Sequence, residues 1–296
     1  MAKKPATQSS KEFQLKLIPP ARLDTMSQAA VDQWLYNQVK FALHQAALTL
    51  ADLGKVEMSF PEAPWYRDAR RFDTAPKAVD GILRRKLWLS LAIEATDEKT
   101  KLKCKQHSFI PELIYDKPKK SVCYPDLSEA GKYDDCNGKF KVEQDLHVDN
   151  TKTCVSGSLF LPGKQTDVHT LAFFSRYFPA LGELLPEETR LYTISHWNET
   201  VFDDIQFAIK KQITLDSVML VNRWDAATGK FLESELAFKV ETELGEAWDC
   251  NQLQLASRCY QAIFDTGVFR PAPPIFFYFD PVASVEICDL CPSTQH

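Results

Sequence analysis

The sequence predicts an α+β fold in which amphipathic helices pack outside a closed antiparallel β-barrel. Two patterns lead to this prediction. At least six segments alternate strictly between apolar and charged residues, which is typical of strands with two different faces. At least three other segments show the spacing of amphipathic helices, which would cover the apolar strand faces. If the helices pack outside, the charged faces must line the interior of the barrel.

The N-terminal half combines several strands with one long helix. Residues 11–18 place Glu12, Gln14 and Lys16 on one face of a strand, which a proline pair terminates. Helical spacing follows and stops at Gly54. The predicted helix covers residues 25–53, and further strands are predicted at residues 69–74, 83–93 and 100–107.

The C-terminal half begins with residues 110–138, which show no periodicity and predict a long loop or insertion. Strands are predicted at residues 139–148, 194–209, 213–224 and 231–241, and helices at 168–185 and 246–264. We expect a disordered tail at 1–10 and a barrel domain at 11–245, with insertions at about 21–67 and 110–138. We also expect a C-terminal helix and an extended tail at 246–296, both packed on the barrel.

Composition excludes several classes of function. The net charge is −5, whereas proteins that bind bulk nucleic acid usually carry a basic excess. No apolar run approaches the roughly 18 residues of a membrane span, so we expect no membrane partner. The eight cysteines, in a large chain without an apolar export segment, predict reduced thiols and a cytoplasmic protein. Cys288 and Cys291 form one C-x-x-C pair, which is a weak metal or redox signal.

The charged faces carry spaced pairs of one sign, which would suit a small phosphorylated ligand. Lys101 with Lys103 would bind phosphate oxygens, as lysine and arginine clamps do. Glu143 with Asp145 and Glu233 with Glu235 would supply the oxygen ligands that Mg²⁺ or Mn²⁺ prefers. The oligomeric state does not follow from these patterns.

An ordered set of motifs resembles the CYTH superfamily of triphosphate tunnel metalloenzymes. The set begins with a variant of the E-x-E-x-K opening and ends with a late E-x-E strand. The matched segments are Glu12-Phe-Gln14-Leu-Lys16, Arg71-Phe72-Asp73-Thr74, Gly81-Ile82-Leu83-Arg84-Arg85-Lys86, Lys101-Leu102-Lys103, Lys141-Val142-Glu143-Gln144-Asp145 and Glu233-Ser234-Glu235, with Arg223 on the preceding strand.

The resemblance implies metal-dependent hydrolysis of inorganic tripolyphosphate or an organic triphosphate inside a charged β-tunnel. Glu143 and Glu235 would be catalytic. Gln14 departs from the family pattern because it replaces a glutamate that is normally a metal ligand, and Lys86 replaces an arginine. Phosphate would be bound by Lys16, Arg84, Lys86, Lys101, Lys103, Lys141 and Arg223, and the metal by Glu12, Glu143, Asp145, Glu233 and Glu235.

Three alternatives remain open at this stage. The same barrel would serve as a non-catalytic module that binds polyphosphate or a phosphorylated ligand, which Gln14 favours. Nucleotidyl cyclisation, as in some members of the resembling family, ranks last because no base-recognition pattern is present. An ordinary α+β protein with a solvated polar sheet face would produce the same alternation. The direction of the charged faces separates this last alternative from the others.

Overall fold

We analysed a computed structural model of the chain, which describes residues 5–17, 23, 25–50, 54–77, 80–83, 89–107, 111–128, 137–146, 151–165, 168–209 and 213–266. The strands are β1 (Ala6–Leu17), β2 (Val56–Ser59), β3 (Trp65–Asp73), β4 (Leu89–Ala95), β5 (Lys99–Gln106), β6 (Gly138–Leu146), β7 (Thr151–Pro162), β8 (Tyr192–Ile209), β9 (Ile213–Asp225) and β10 (Phe231–Glu243). The α-helices are α1 (Gln28–Thr49), α2 (Pro111–Asp116), α3 (Leu171–Ser175) and α4 (Cys250–Asp265).

The sheet closes on itself and forms a barrel. Its order is β2-β8-β3-β4-β5-β7-β6-β1-β10-β9, and β8 also pairs with β9. Nine strands therefore form the ring, while β2 extends the sheet along the far end of β8. The predicted closed barrel is confirmed, but the prediction of a wholly antiparallel one is wrong, because β1 and β6 are parallel. The long stretch of chain between these two strands permits a parallel crossover.

Helices α1 and α4 pack against each other on the outer face of β1, β9 and β10. The alternate apolar residues of these strands point towards the helices. Phe13, Leu220 and Phe238 are buried there with Leu35 of α1 and Leu253 of α4. Burial of this area stabilises the barrel through the hydrophobic effect, and it fixes which face of β1 and β10 points outwards.

A buried carboxylate joins α1 to the barrel wall. Asp32 lies on the inner side of α1 and is only 5% exposed. It accepts hydrogen bonds from Thr200 Oγ1 on β8, and from Asn222 Nδ2 and Trp224 Nε1 on β9, at 2.8, 2.8 and 3.3 Å. Because these partners are on two neighbouring strands, Asp32 fixes the position of α1 over the β8–β9 seam.

A second apolar core covers the opposite outer face of the barrel. Leu91, Leu102 and Phe140 of the strands are buried there with Phe174 and Phe178. The prediction of one continuous helix over residues 168–185 is wrong. The chain instead forms α3 and a short 3₁₀ segment, Pro179–Leu181. Proline lacks the N–H that an α-helix needs and disfavours helical geometry in the residue before it, so the helix cannot continue through Pro179.

The turn after β3 explains one of the motifs in the sequence. The buried Asp73 carboxylate accepts hydrogen bonds from the backbone N–H groups of Thr74 and Leu83, at 2.7 and 3.1 Å. Gly81 lies directly against this carboxylate, and a Cβ atom at Gly81 would lie 2.0 Å from Asp73 Cγ. The Asp-Thr pair and the following glycine therefore form one structural unit that leads from β3 towards residue 84.

Several element boundaries differ from those expected. β1 begins at Ala6, so residues 6–10 belong to a strand and not to a tail. Residues 192–209 form one long strand, β8. β7 and β2 were not predicted from the sequence. The predicted insertions contain regular structure, with α1 and β2 in the first and α2 in the second.

The described cysteines are mostly reduced. Cys104, Cys123, Cys154 and Cys259 are free thiols, whereas Cys250 is disulfide-bonded. The expectation of reduced thiols therefore holds for the first four and fails for Cys250. The C-x-x-C pair lies in the C-terminal tail at 267–296, outside the described residues.

Among the helices that the structure describes, none combines the length and apolar character needed to cross a membrane.

Candidate functional site: the charged interior of the barrel

The charged strand faces point into the barrel. Lys105 on β5 reaches Glu143 on β6 at 3.5 Å, although β7 lies between these strands in the sheet. Lys101 on β5 and Lys239 on β10 lie close enough to repel each other, although three strands separate β5 from β10. A lysine side chain can span the two strand spacings between Lys105 and Glu143 on one face of any sheet. Lys101 and Lys239, however, belong to strands about 19 Å apart along the sheet, so their approach requires that the sheet closes around them. The geometry therefore excludes the alternative of a flat sheet with a solvated charged face.

The balance of charge differs between two sides of the interior. The side formed by β9, β8, β3, β4 and β5 carries more cations than carboxylates, although it includes Glu94 and Glu199. The side formed by β6, β1 and β10 is rich in carboxylates, although it includes Lys16, Lys141 and Lys239. The cations of the first, basic side are Arg67, Arg71, Lys101, Lys103, Lys105 and Arg223, and the carboxylates of the second, acidic side are Glu12, Glu143, Asp145, Glu233, Glu235 and Glu241.

Small side chains separate β5 from β6 on the interior face. β7 lies between these strands, with Ser158 opposite Lys103 and Ser156 opposite Lys105. Cys154 of the same strand lies opposite Glu143 and contacts its Oε2 at 3.4 Å. Because serine and cysteine are short, they leave space beside the lysine side chains, and Lys105 spans it.

Glu199 organises the basic side at β8. Its side chain is 2% exposed and pairs with Arg67 Nε. It also accepts hydrogen bonds from Arg223 Nε at 2.8 Å and from Trp197 Nε1 at 2.7 Å. A buried carboxylate between two guanidinium groups compensates their charge, which would otherwise be costly to bury.

Arg223 links this cluster to β10. Its Nη1 donates to Glu233 at 2.5 Å and to Glu235 at 3.1 Å. Burial alone would lower the pKa of Arg223, but the carboxylates of Glu235, Glu199 and Glu233 raise it. Arg223 is therefore a permanent cation that holds two of the predicted metal ligands.

Glu94 on β4 is the counter-ion of the lysines on β5. It accepts hydrogen bonds from Lys103 Nζ at 2.7 Å and from Arg67 Nη1 at 3.0 Å. Lys101 Nζ lies farther away, at 4.0 Å. Burial lowers the pKa of Lys101 to about 7 despite the attraction of Glu94. Lys101 is therefore only partly protonated at neutral pH, and a bound anion would favour its protonated form.

The carboxylates of the acidic side differ in their ionisation. Burial would raise the pKa of Glu143, but Lys105 and other interior lysines lower it to about 2. Glu12 shows the opposite behaviour. Burial raises its pKa, and the carboxylates of Glu235, Glu143 and Asp145 raise it further, although Lys239 Nζ lies 3.7 Å away. Three carboxylates thus disfavour the ionised form of Glu12.

The carboxylate oxygens of the acidic side are the kind of ligand that hard divalent cations such as Mg²⁺ prefer. The lysines and Arg223, however, hold the carboxylates in ion pairs. Lys105 Nζ lies 3.2 Å from Asp145 Oδ2 as well as 3.5 Å from Glu143. Within the described ranges, no three Asp, Glu, His or Cys side chains converge closely enough to hold a metal ion. A cation would therefore have to displace the Lys105 ammonium group.

The structure brings together most of the predicted site residues. Lys141 pairs with Glu241 across β1, and Lys16 pairs with Glu233 at 3.4 Å with its side chain 43% exposed. Gln14 lies opposite Ala237 on the interior face, between Glu12 and Lys16. The residues brought together are Glu12, Lys16, Lys101, Lys103, Lys141, Glu143, Asp145, Arg223, Glu233 and Glu235, whereas Arg84 and Lys86 lie outside the described residues.

Sequence reasoning did not assign several interior residues to the site. Lys105, Lys239 and Glu241 continue the alternation of their strands, which was a usable signal. Arg67 and Glu199 stand in segments without a clear charge pattern, so only the three-dimensional structure reveals them. The interior residues that were not predicted are Arg67, Arg71, Glu94, Lys105, Glu199, Lys239 and Glu241.

The fold and the site define a closed, mixed β-barrel whose interior carries ion-paired charges of both signs. No protein-family model matches this chain, and no curated protein matches it.

Proposed function

We propose that this protein hydrolyses inorganic tripolyphosphate or an organic triphosphate inside the barrel, with Mg²⁺ or Mn²⁺, as the resemblance to the CYTH superfamily implies. One observation carries the proposal. The interior places a side with an excess of cations beside a carboxylate-rich side, with the short residues of β7 between Lys105 and Glu143. A polyphosphate bound to a divalent cation has the complementary distribution of charge. Its phosphate oxygens would face the basic side, and the cation would face the carboxylates.

The basic side would bind the phosphate oxygens. Lys103 and Lys105 share one face of β5, and Arg67 and Arg223 converge on Glu199. A bound polyphosphate would share these cations with Glu199, because the buried Glu199 carboxylate would be left uncompensated if phosphate replaced it. Lys16, Arg84, Lys86, Lys101 and Lys141 complete the proposed phosphate-binding set.

The acidic side would hold the metal through Glu12, Glu143, Asp145, Glu233 and Glu235. When bound, the metal ion supplies charge neutralisation and polarises the terminal phosphoryl group. Glu143 or Glu235 would orient a water molecule towards the terminal phosphorus. The water oxygen forms the new P–O bond as the bond from the terminal phosphorus to the bridging oxygen breaks. The bridging oxygen leaves with the shortened phosphate, and the protons of the water pass to the two phosphate products and to solvent. With a pKa of about 2, Glu143 acts as an anionic hydrogen-bond acceptor.

A second candidate is a non-catalytic module that binds polyphosphate in the same barrel. Two observations favour it. Gln14 contributes no charge at the interior position between Glu12 and Lys16. Among the described residues, the carboxylates are held in ion pairs and no three converge on a metal position. Such a module would use the basic side alone.

Phosphate release separates the two candidates. The wild-type protein is incubated with tripolyphosphate, ATP or thiamine triphosphate in the presence of Mg²⁺ or Mn²⁺. We expect release from at least one of them, and a loss of about 100-fold or more in a Glu143→Gln, Glu235→Gln double variant. Glu57→Gln, which changes an exposed carboxylate on β2, is the matched control and should keep full activity.

Two results would contradict the hydrolase. If folded wild-type protein released no phosphate from any of the three compounds, the binding module would replace it. If the double variant released phosphate as fast as the wild type, the reaction would not take place in the barrel interior.

A further inference from the structure

Two cysteines meet on the outer face of the barrel, away from the charged interior. Cys104 lies on β5, and Cys123 lies on the loop of residues 121–128. Their Sγ atoms are 2.9 Å apart, and both side chains are fully buried. The Cys104 Sγ also lies 3.8 Å from the carbonyl oxygen of Val122. No other group separates the two sulfur atoms.

The neighbouring β7 strand is shaped to allow this contact. Gly157 is the partner of Cys104 in the β5–β7 register. A Cβ atom at Gly157 would lie 1.6 Å from the carbonyl oxygen of Cys123, so any larger residue would push the loop away. The absence of a side chain at Gly157 therefore lets the loop approach the strand closely enough for the two sulfur atoms to meet.

Hydrogen bonds and apolar contacts hold the loop in this position. The Cys123 N–H donates to Ser121 Oγ at 3.2 Å, and the Asp126 N–H donates to the Tyr177 carbonyl at 2.8 Å. The Leu127 side chain is buried in the second apolar core. The sulfur atoms are thus held together by their surroundings and do not meet by chance at a mobile surface.

We propose that Cys104 and Cys123 form a disulfide bond under oxidising conditions, which links the loop of residues 121–128 covalently to β5. Two S–H bonds break and one S–S bond forms. The two thiols together lose two electrons and two protons. With diamide as the oxidant, the N=N bond accepts both and becomes a hydrazine. Glutathione disulfide would act as an oxidant by thiol–disulfide exchange, with release of two glutathione thiols.

The environment of the pair determines how the reaction proceeds. Burial, together with the hydrogen bond to Cys104, raises the pKa of the Cys123 thiol. Because the thiolate is the reactive form, the closed pair reacts slowly, and oxidation proceeds when the loop opens. Once formed and reburied, the bond is shielded from reductants by the same packing.

The disulfide would stabilise the protein because it reduces the conformational entropy of the unfolded chain between residues 104 and 123. We expect the apparent Tm to rise by about 5 °C or more on oxidation. This inference does not depend on the proposed hydrolase, since Cys104 points outwards while Lys103 and Lys105 point into the barrel.

The test combines peptide mapping with thermal unfolding. Full-length protein is treated with diamide, remaining thiols are alkylated, and the digest is analysed without reduction by mass spectrometry. We expect one cross-linked peptide pair that joins Cys104 to Cys123, together with the rise in Tm, and both should disappear on reduction. Cys123→Ala should show neither, whereas Cys259→Ala, which changes another buried thiol on α4, should show both.

The mapping of the wild-type protein needs no variant, so a poorly folded Cys123→Ala would leave the test intact. Recovery of Cys104 and Cys123 as separately alkylated thiols after diamide treatment of folded protein would overturn the proposal. Cross-linking of either residue to a different cysteine would overturn it as well.

Discussion

Replacing Glu199 with glutamine is expected to lower the free energy of unfolding by about 2–3 kcal/mol, because two buried arginines lose a shared charged partner although each keeps another carboxylate. The Glu199 side chain is 2% exposed and compensates both Arg67 and Arg223. Glutamine keeps the shape and one hydrogen-bond acceptor but removes the negative charge. The two guanidinium groups would then repel each other at the β3–β8–β9 wall.

Urea denaturation followed by tryptophan fluorescence and circular dichroism would measure this loss. Glu57→Gln is the matched control because Glu57 is exposed and its ion pair with Lys55, at 3.4 Å, lies at the surface. Its free energy of unfolding should differ from that of the wild type by no more than about 0.5 kcal/mol. An equal stability of Glu199→Gln and wild type would mean that the interior ion pairs do not hold the barrel wall together.

Replacing Lys105 with methionine is expected to make the protein bind Mn²⁺ about tenfold more tightly, since a nearby cation no longer competes for the same carboxylates. Lys105 Nζ lies 3.2 Å from Asp145 and 3.5 Å from Glu143. Its removal takes away a close ion-pair partner of both carboxylates. The variant should therefore be less stable than the wild type without metal and should recover stability when Mn²⁺ binds.

Thermal unfolding with and without Mn²⁺ measures this effect, because a ligand that binds the folded state raises the apparent Tm. We expect a larger Mn²⁺-dependent rise in Lys105→Met than in the wild type. Lys55→Met is the control, since Lys55 lies at an exposed position and its side chain is 69% exposed. The same response to Mn²⁺ in Lys105→Met and the wild type would contradict a metal position beside Glu143 and Asp145.

The strand faces could be predicted from the sequence where charged and apolar residues alternate. β5 and β10 show this alternation throughout, and the structure confirms that Lys103 and Glu235 point into the barrel while Leu102 and Leu236 point outwards. Alternation identifies the two faces of a strand, but it does not identify the neighbouring strand. The parallel pairing of β1 with β6 therefore could not be read from the pattern.

β7 was not predicted because its interior positions carry no charge. Its interior face includes Ser156 and Ser158, whereas its outer face includes the buried Val155 and Leu159. A pattern of alternating charged and apolar residues is therefore absent, and a glycine between the two apolar residues weakens the strand signal further. The short residues of the interior face also leave the space that Lys105 crosses in the folded barrel.

The candidate site was predictable only where its residues belong to a local charge pattern. Paired like charges marked Lys101, Lys103, Glu143 and Asp145 in the sequence. Glu199 stands alone in a long strand, so nothing local distinguishes it from an exposed glutamate. Its role depends on two arginines from other strands, and that relation exists only after the barrel closes.

Binding of a polyphosphate to the basic side of the barrel interior underlies both candidate functions. Isothermal titration calorimetry with tripolyphosphate in the presence of EDTA tests the claim that this binding occurs, without any contribution from a metal or from hydrolysis. We predict saturable binding of one molecule per chain, weakened by salt and by about tenfold or more in Lys103→Met, with Lys55→Met as the control. Lack of binding by the wild type, or equal binding by folded Lys103→Met, would contradict the claim.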